Sequence, residues 1–380
     1  MRTSQDHILT THVGSLPRDQ ELVDALLAKD HGGDDPSHYE AVVSKAVHEV
    51  VARQKATGID IPSDGEAGKV AYSTYMMDRL TGFGGDNERR VALDLKDYPE
   101  FRKKMGRMTG KQEFRRASCI GAVAVKDLSP LEFDIGNLTD SLAESGIEEG
   151  FMNSASPGLV TAFQPNKYYP SHEAYLEAVA EAMAREYRMI VDAGLILQLD
   201  CPDLAMARHI AFQDLDEPAF LRQATLHVEA MNAALGDIPR EKVRLHICWG
   251  NYEGPHDFDI PVEKILPIVL KANAQALLFE AANARHEHEW TVWADAKLPD
   301  DLILVPGTVD TCSNYVEHPE LIAQRIERYA GIVGRERVIA GTDCGFGTFA
   351  GYGKLDGGIA YKKLGALVQG AAIASKRLWR

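Results

Sequence analysis

Cysteine is scarce: the 380 residues hold five, at positions 119, 201, 248, 312 and 344, an odd number with no close spacing. That excludes a disulfide framework and fits thiols kept for packing or chemistry in a reducing compartment. Long apolar runs are missing as well. No stretch approaches the roughly 18 residues a membrane-crossing helix requires, and the start, Met1-Arg2-Thr3-Ser4-Gln5-Asp6, is polar with no apolar segment behind it. Positive charge is in deficit, 41 Lys and Arg against 56 Asp and Glu, a net −15. A nucleic-acid partner, which needs clustered basic residues, is thereby excluded. There is no low-complexity tract and no repeat of 20 to 50 residues. The expected setting is the cytoplasm, with no membrane partner and no statement on oligomeric state.

What is present is the composition of a globular protein, 45% hydrophobic and 26% charged, long enough for one α/β barrel or two ordinary domains. Strand-like and helix-like runs alternate, the pattern of a parallel sheet built from βα units. Strands are predicted at 8–13, 59–62, 151–156, 195–200, 243–248, 276–280, 302–309 and 338–342. Helices are predicted between them at 19–29, 39–57, 171–192, 217–235, 262–274, 318–333 and 357–378. Eight strands with intervening helices give an α/β TIM (β/α)8 barrel, a single catalytic domain over 1–380. From about 84 to 150 the alternation is lost and charge is dense; this reads as a segment inserted between the second and third barrel strands, its one β-like run (117–125) belonging to the insertion.

In such a barrel the chemistry sits at the C-terminal ends of the strands. His246 and Cys248, two residues apart, share a face where a predicted strand runs into Gly250 and Asn251. Nitrogen and thiolate sulfur are two of the four ligands zinc takes. Cys344 closes another strand inside Gly341-Thr342-Asp343-Cys344-Gly345, and Glu280 closes the run Ala276-Leu277-Leu278-Phe279. Ser15, Glu66, Ser156, Asp200 and Asp310 also fall at strand ends. A random scatter of polar residues would put about half of them at the opposite ends.

Taken in order, Thr11-His12-Val13-Gly14-Ser15-Leu16-Pro17-Arg18, Asp64-Gly65-Glu66, Gln198-Leu199-Asp200, His246-Ile247-Cys248, Glu280, Gly307-Thr308-Val309-Asp310 and Asp343-Cys344-Gly345 resemble the catalytic barrel of cobalamin-independent methionine synthases, in the short single-barrel form. The resemblance implies a Zn²⁺ cofactor held by His246, Cys248, Glu280 and Cys344. It implies that Ser15, Glu66 and Asp200 hold the carboxylate and ammonium ends of homocysteine, which accepts a methyl group from a methyltetrahydrofolate-type or other donor. Two thiolates and a carboxylate around Zn²⁺ leave net −1, so a bound thiol is ionised yet stays nucleophilic. Two departures stand out. The second barrel that helps full-length synthases hold polyglutamyl folate has no counterpart here, which opens the donor role to a methyl-carrier protein. Two residues after Asp310, where the family carries the histidine assigned to proton delivery, stands Cys312, a poorer acid for that purpose.

Blander roles compete at several positions. Cys119 and Cys201 read as buried thiols, and Cys312 lies between site lining and packing. His286-Glu287-His288 reads as surface. Ser15 could cap a helix, Asp64 or Glu66 could pair with Arg18, and Trp249 and Phe163 could stack on a pterin or fill the core. Within the same chemistry, the rival is an epoxyalkane:coenzyme M transferase or a corrinoid-linked thiol alkyltransferase. A sulfonated thiol would, however, be repelled by carboxylates at Glu66 and Asp200. Outside that chemistry stand a decarboxylase-like barrel and a zinc-storing barrel without catalysis.

Overall fold

The computed structural model describes residues 1–33, 35–87, 90–109, 114–353 and 355–380. Its strands are β1 (Leu9–Thr10), β2 (Phe83–Gly84), β3 (Ser118–Cys119), β4 (Phe151–Ala155), β5 (Ile196–Asp200), β6 (Val243–His246), β7 (Ala276–Phe279), β8 (Ile303–Val309) and β9 (Ile339–Thr342). Seven of them form one curled sheet in the order β1-β9-β8-β7-β6-β5-β4, every neighbouring pair parallel. Residues 61–63 stand between the two outer strands: Thr11 bridges Ile61, and Ser63 bridges Phe151, both parallel.

The strand predicted at 59–62 shrinks to those two bridges for a local reason. Pro62 has no N–H to donate, and the backbone of Ser63 is taken by a helix side chain. Gln54 Oε1 accepts from Ser63 N at 3.1 Å, and Gln54 Nε2 donates to Ser63 O at 2.7 Å. A helical amide thus replaces the ladder partner.

Alternation along each strand sorts the core. Leu9, Ile196, Leu278, Ile303, Val305 and Ile339 pack together inside the curl, while Leu197, Leu199, Leu245, Leu277 and Leu304 face the helices. By the same period of two, Gln198 and Asp200 on β5, and Arg244 and His246 on β6, point inward. Helix boundaries follow their caps. The helix predicted from 39 begins at Pro36, because Asp35 accepts from His38 N and proline suits the first turn; it ends at Gly58, whose φ of 95° is left-handed. The helix predicted over 262–274 stops at Val269, two residues after Pro267, which cannot supply the bond to the preceding turn.

Between residues 84 and 150 lie helices Leu93–Lys96, Pro99–Thr109 and Ser129–Glu144 and the antiparallel pair β2–β3. Of the predicted β-run 117–125 only Ser118–Cys119 forms a strand, with Val125 in a lone bridge to Leu80. Among the described residues no helix is long and apolar enough to cross a membrane.

Candidate functional site

His246 is the last residue of β6, and the chain turns away at Gly250, whose φ is 123°. Its Nδ1 lies 3.2 Å from Asp200 Oδ1. Its Nε2 is buried and has no hydrogen-bond partner among the described residues. Cys248 Sγ and Cys344 Sγ are 3.7 Å apart. One ring nitrogen of His246 and the two sulfurs lie within 4.8 Å of one another, a buried group able to hold a metal ion. Burial normally satisfies polar atoms, so an orphaned imidazole nitrogen beside two thiols is what a ligand set without its cation looks like. The donor set fits zinc.

Charge agrees. The hydrogen bond to Cys248, and then burial, push the Cys344 thiol well above its ordinary range. Two adjacent buried thiols do not both ionise unless a cation joins them.

Glu280 lies outside the three-residue group. Its Oε1 accepts from Trp249 N at 2.8 Å and its Oε2 from Asn283 Nδ2 at 2.7 Å. Asp343 secures the same loop: it accepts from Ala281 N, Ala282 N and Asn283 N at 2.8–2.9 Å. Glycines in the two neighbouring motifs are explained by close approach. A side chain at Gly307 would strike Asp343, and one at Gly345 would strike Ser15 Oγ.

A cavity of about 320 Å³ is lined by Ser15, Glu66 and Asp200 together with His246, Cys248 and Cys344. Residues spread over 330 positions of chain thus meet at one end of the sheet. Ser15 is buried and caps no helix; that role belongs to Asp19, which accepts from Leu22 N at 2.8 Å. Glu66 is held at φ 55°, and its Oε2, like His246 Nε2, is a buried polar atom without a partner among the described residues. Burial first, then the Asp200 charge, outweigh Lys69 and Arg18 and lift its carboxyl to about 7. Arg18 does not pair with Asp64 through its guanidinium; it donates to the carbonyls of Glu66 at 2.8 Å, Lys69 at 3.1 Å, and Gly347.

Asp310 and Cys312 line a neighbouring cavity of about 220 Å³ together with Glu280, Cys344 and His256. Asp310 accepts from Cys312 N at 2.8 Å and Ser313 N at 3.1 Å, and the Cys312 thiol lies 3.2 Å from Asn251 Oδ1. Asn251 and Tyr252, which the sequence reading did not single out, line both cavities. Their signal was the Gly250-to-Gly254 break itself.

One expectation is corrected. His286 is not on the surface: it is buried between Asp259, 3.1 Å from Nε2, and Glu289, 2.8 Å from Nδ1, while His288 is exposed. Of the two roles open to Trp249 it takes the core one: it is fully buried and its Nε1 donates to Ile260 O at 2.7 Å, so it offers no face to a pterin. Cys119 and Cys201 are buried thiols.

His286 belongs to a knot that ties the loops after β5, β6 and β7. Asp259 also bonds His256 Nδ1 at 3.0 Å and lies 3.5 Å from His209 Nδ1. From the stretch between residues 84 and 150, Asp94 accepts from the hydroxyl of Tyr252 at 2.5 Å and from His256 N at 3.1 Å. Burial alone would lower both imidazoles, yet the bonds to Asp259, and for His286 also Glu289, raise His256 to about 9 and His286 to about 10. Raised histidines contribute stability that is complete below their unfolded value near 6.5 and is lost as pH rises through the folded values. The thermal midpoint should therefore decline as pH rises from about 6.5 to about 10 and level off above that. A His286→Gln variant, lacking this linkage, should show a flatter midpoint across that window; an equally steep decline would remove His286 from the account.

A family model described as the catalytic domain of cobalamin-independent synthases matches residues 8–92 and 145–355 and omits 93–144. A methionine synthase of Thermococcus kodakarensis is 24% identical over 98% of this chain and 94% of its own length. A 2-hydroxypropyl-CoM lyase of Xanthobacter autotrophicus is 26% identical over 98% of this chain and 96% of its own. Among solved structures, a B12-independent methionine synthase from Shewanella, in complex with selenomethionine, superposes with a TM-score of 0.74 at 19% identity, covering 98% of this chain and 99% of that one. That likeness concerns the fold: both are curled parallel α/β sheets.

Proposed function

This chain belongs to the family of cobalamin-independent synthase catalytic domains, and from that premise we propose that it is a zinc-dependent methyltransferase whose acceptor is the thiol of homocysteine. The observation that carries the reading is the buried trio of His246, Cys248 and Cys344, with an imidazole nitrogen that has no other partner. Glu280 is the fourth ligand in this reading, and joining the trio means exchanging a bond to Trp249 or Asn283. Zinc bound there would supply the Lewis acidity that ionises the acceptor thiol while leaving its sulfur nucleophilic.

The remaining groups bind and orient. The Ser15 hydroxyl offers a donor to the acceptor's carboxylate. Glu66 and Asp200 offer buried acceptors to its ammonium, and a bound cation would draw the raised Glu66 carboxyl back to its anionic form. Holding both ends of a short amino acid in a cavity of about 320 Å³ aims its sulfur at the ligand trio and fixes the line of attack on the incoming carbon. In this reading Asp310 and Cys312, which line the neighbouring cavity with Cys344, are assigned proton transfer to the leaving group. Further lining of the same cavity by Leu95, Met105 and Ile210 with Arg90, Arg102 and Arg116 suits a donor with an apolar body and an anionic tail. We read residues 61–63 as the eighth strand of a closed (β/α)8 barrel, and 84–150 as an insertion that roofs the site in a single, cytoplasmic domain.

A coenzyme M acceptor, as the lyase relative suggests, would set a sulfonate against Glu66 and Asp200. X-ray absorption on zinc-loaded protein separates the two. Homocysteine should add one sulfur to the metal's shell and coenzyme M none. A new sulfur with coenzyme M alone would transfer the proposal to alkyl-coenzyme M chemistry, and no change with either would end both readings.

A further inference from the structure

Arg244 is buried inside the curled sheet, two residues before His246 on β6 and on the same inward face. No carboxylate lies within ion-pair distance of it among the described residues. Instead its Nε donates to Gln198 Oε1 at 2.8 Å, its Nη1 to Thr11 Oγ1 at 3.1 Å and its Nη2 to His12 O at 3.0 Å. The guanidinium also stacks 3.5 Å from the Phe151 ring centre. A buried cation without a counter-ion is costly unless its neighbours are fixed by it.

A guanidinium can only donate. The atom of Gln198 that faces it must therefore be the amide oxygen, which turns the amide nitrogen the other way. There Nε2 donates to Asp200 Oδ1 at 3.0 Å and to the carbonyl of Val13. Asp200 is then an acceptor on Oδ1, and its Oδ2 accepts from Asn153 Nδ2 at 2.9 Å. His246 Nδ1, 3.2 Å from the same Oδ1, must carry the hydrogen. What remains is a bare lone pair on Nε2, the nitrogen that is buried without a partner.

We infer that Arg244 and Gln198 are positioning residues that set the tautomer of His246, through Asp200, so that Nε2 reaches the thiols as a lone pair. The hydrogen-bond polarity runs one way along the chain because it starts at a group with no acceptor. The inference rests on the metal reading for its purpose, but the tautomer itself can be read without metal.

The test is Gln198→Glu. The new carboxylate gains an ion pair with Arg244, so a purely structural role predicts a fold at least as stable as before. Its second oxygen, however, faces Asp200 Oδ1 and the Val13 carbonyl, acceptors both, and repels the anion on which His246 Nδ1 depends. In metal-free protein labelled with ¹⁵N-histidine, long-range proton–nitrogen correlations should show His246 as the Nδ1–H tautomer in the parent, and as a mixture or the Nε2–H form in Gln198→Glu. Zinc affinity, read by competition with a chelator, should fall about 10- to 100-fold, the loss usual when the partner of a ligating histidine is removed. Arg244→Met should also mix the tautomers by freeing the amide to turn over, and Arg244→Lys, which still only donates, should restore the Nδ1–H form in part. An unchanged tautomer in folded Gln198→Glu overturns the inference. Parent protein that holds the Nδ1–H tautomer but takes up no zinc would overturn the metal reading alone.

Discussion

Cys344→Ser should leave a folded protein that neither retains zinc nor transfers a methyl group. Cys344 supplies one of two sulfurs placed 3.7 Å apart, and a serine hydroxyl does not ionise near neutral pH to replace a soft thiolate. Groups that merely orient a ligand cost roughly 10- to 100-fold when lost; losing a ligand should exceed that range in metal affinity and take turnover with it. The loss should be confined to the site. Cys344 borders a cavity rather than the main core, and Cys119→Ser, far from the trio, should keep full zinc content. The elevated thiol adds a second expectation: because Cys344 holds its proton well above the ordinary range without a cation, zinc uptake should release protons and weaken as pH falls. Metal analysis after dialysis, dye-detected proton release and alkyl-transfer rates measure all three. Full zinc and full turnover in Cys344→Ser would sink the assignment.

The largest effect on stability should come from Arg79→Met. The Arg79 guanidinium, buried, bonds Glu186 Oε2 at 2.8 Å with one arm and Asp134 Oδ2 with the other. Glu186 is further held by the hydroxyls of Tyr75 and Ser154, each at 2.6 Å. Asp134 belongs to the helix Ser129–Glu144 and Glu186 to the helix His172–Asp192, so one cation fastens two helices to each other. Burial pulls both carboxyls upward. With three donors Glu186 ends below the ordinary range, whereas Asp134, with only Arg79, stays above it. Removing the cation strands two buried acids, and breaking such a pair by deleting one partner costs about 3–5 kcal/mol. Asp134, already the weaker acid, should be the first to take up a proton, so part of the loss should be recovered below neutral pH. Urea unfolding followed by circular dichroism at two pH values tests this; a midpoint equal to the parent's would show that the network contributes nothing net.

Much of the site was legible in the chain because the relevant signal is short-ranged. A strand alternates with period two and ends where glycine and asparagine begin, so His246, Cys248, Asp200 and Cys344 could be placed at strand ends from a few neighbouring residues each. Parallel βα alternation then gathers those ends at one face, whatever the details of packing. The cap at Ser171 and the stop at Gly58 were readable for the same reason.

Other features depend on partners far away in sequence, and only the tertiary structure decided them. The strand predicted at 59–62 is cut down to bridges at Ile61 and Ser63, because Gln54, on a helix, bonds the backbone N and O of Ser63. Glu280 faces Trp249 and Asn283 because the loop beyond it is pinned by Asp343, more than 60 residues on. His286 left the surface because Asp259 and Glu289 close around it. Hydrogen-bond direction is the clearest case: nothing local to Arg244 shows that it aims an amide, a carboxylate and an imidazole in turn. The amino-acid sequence determined which chemical groups stand at the sheet's C-terminal edge, since periodicity is a local property. Which of them touch, and with what polarity, was decided by the curl of the sheet, because a hydrogen bond spans about 3 Å of space irrespective of how much chain lies between its ends.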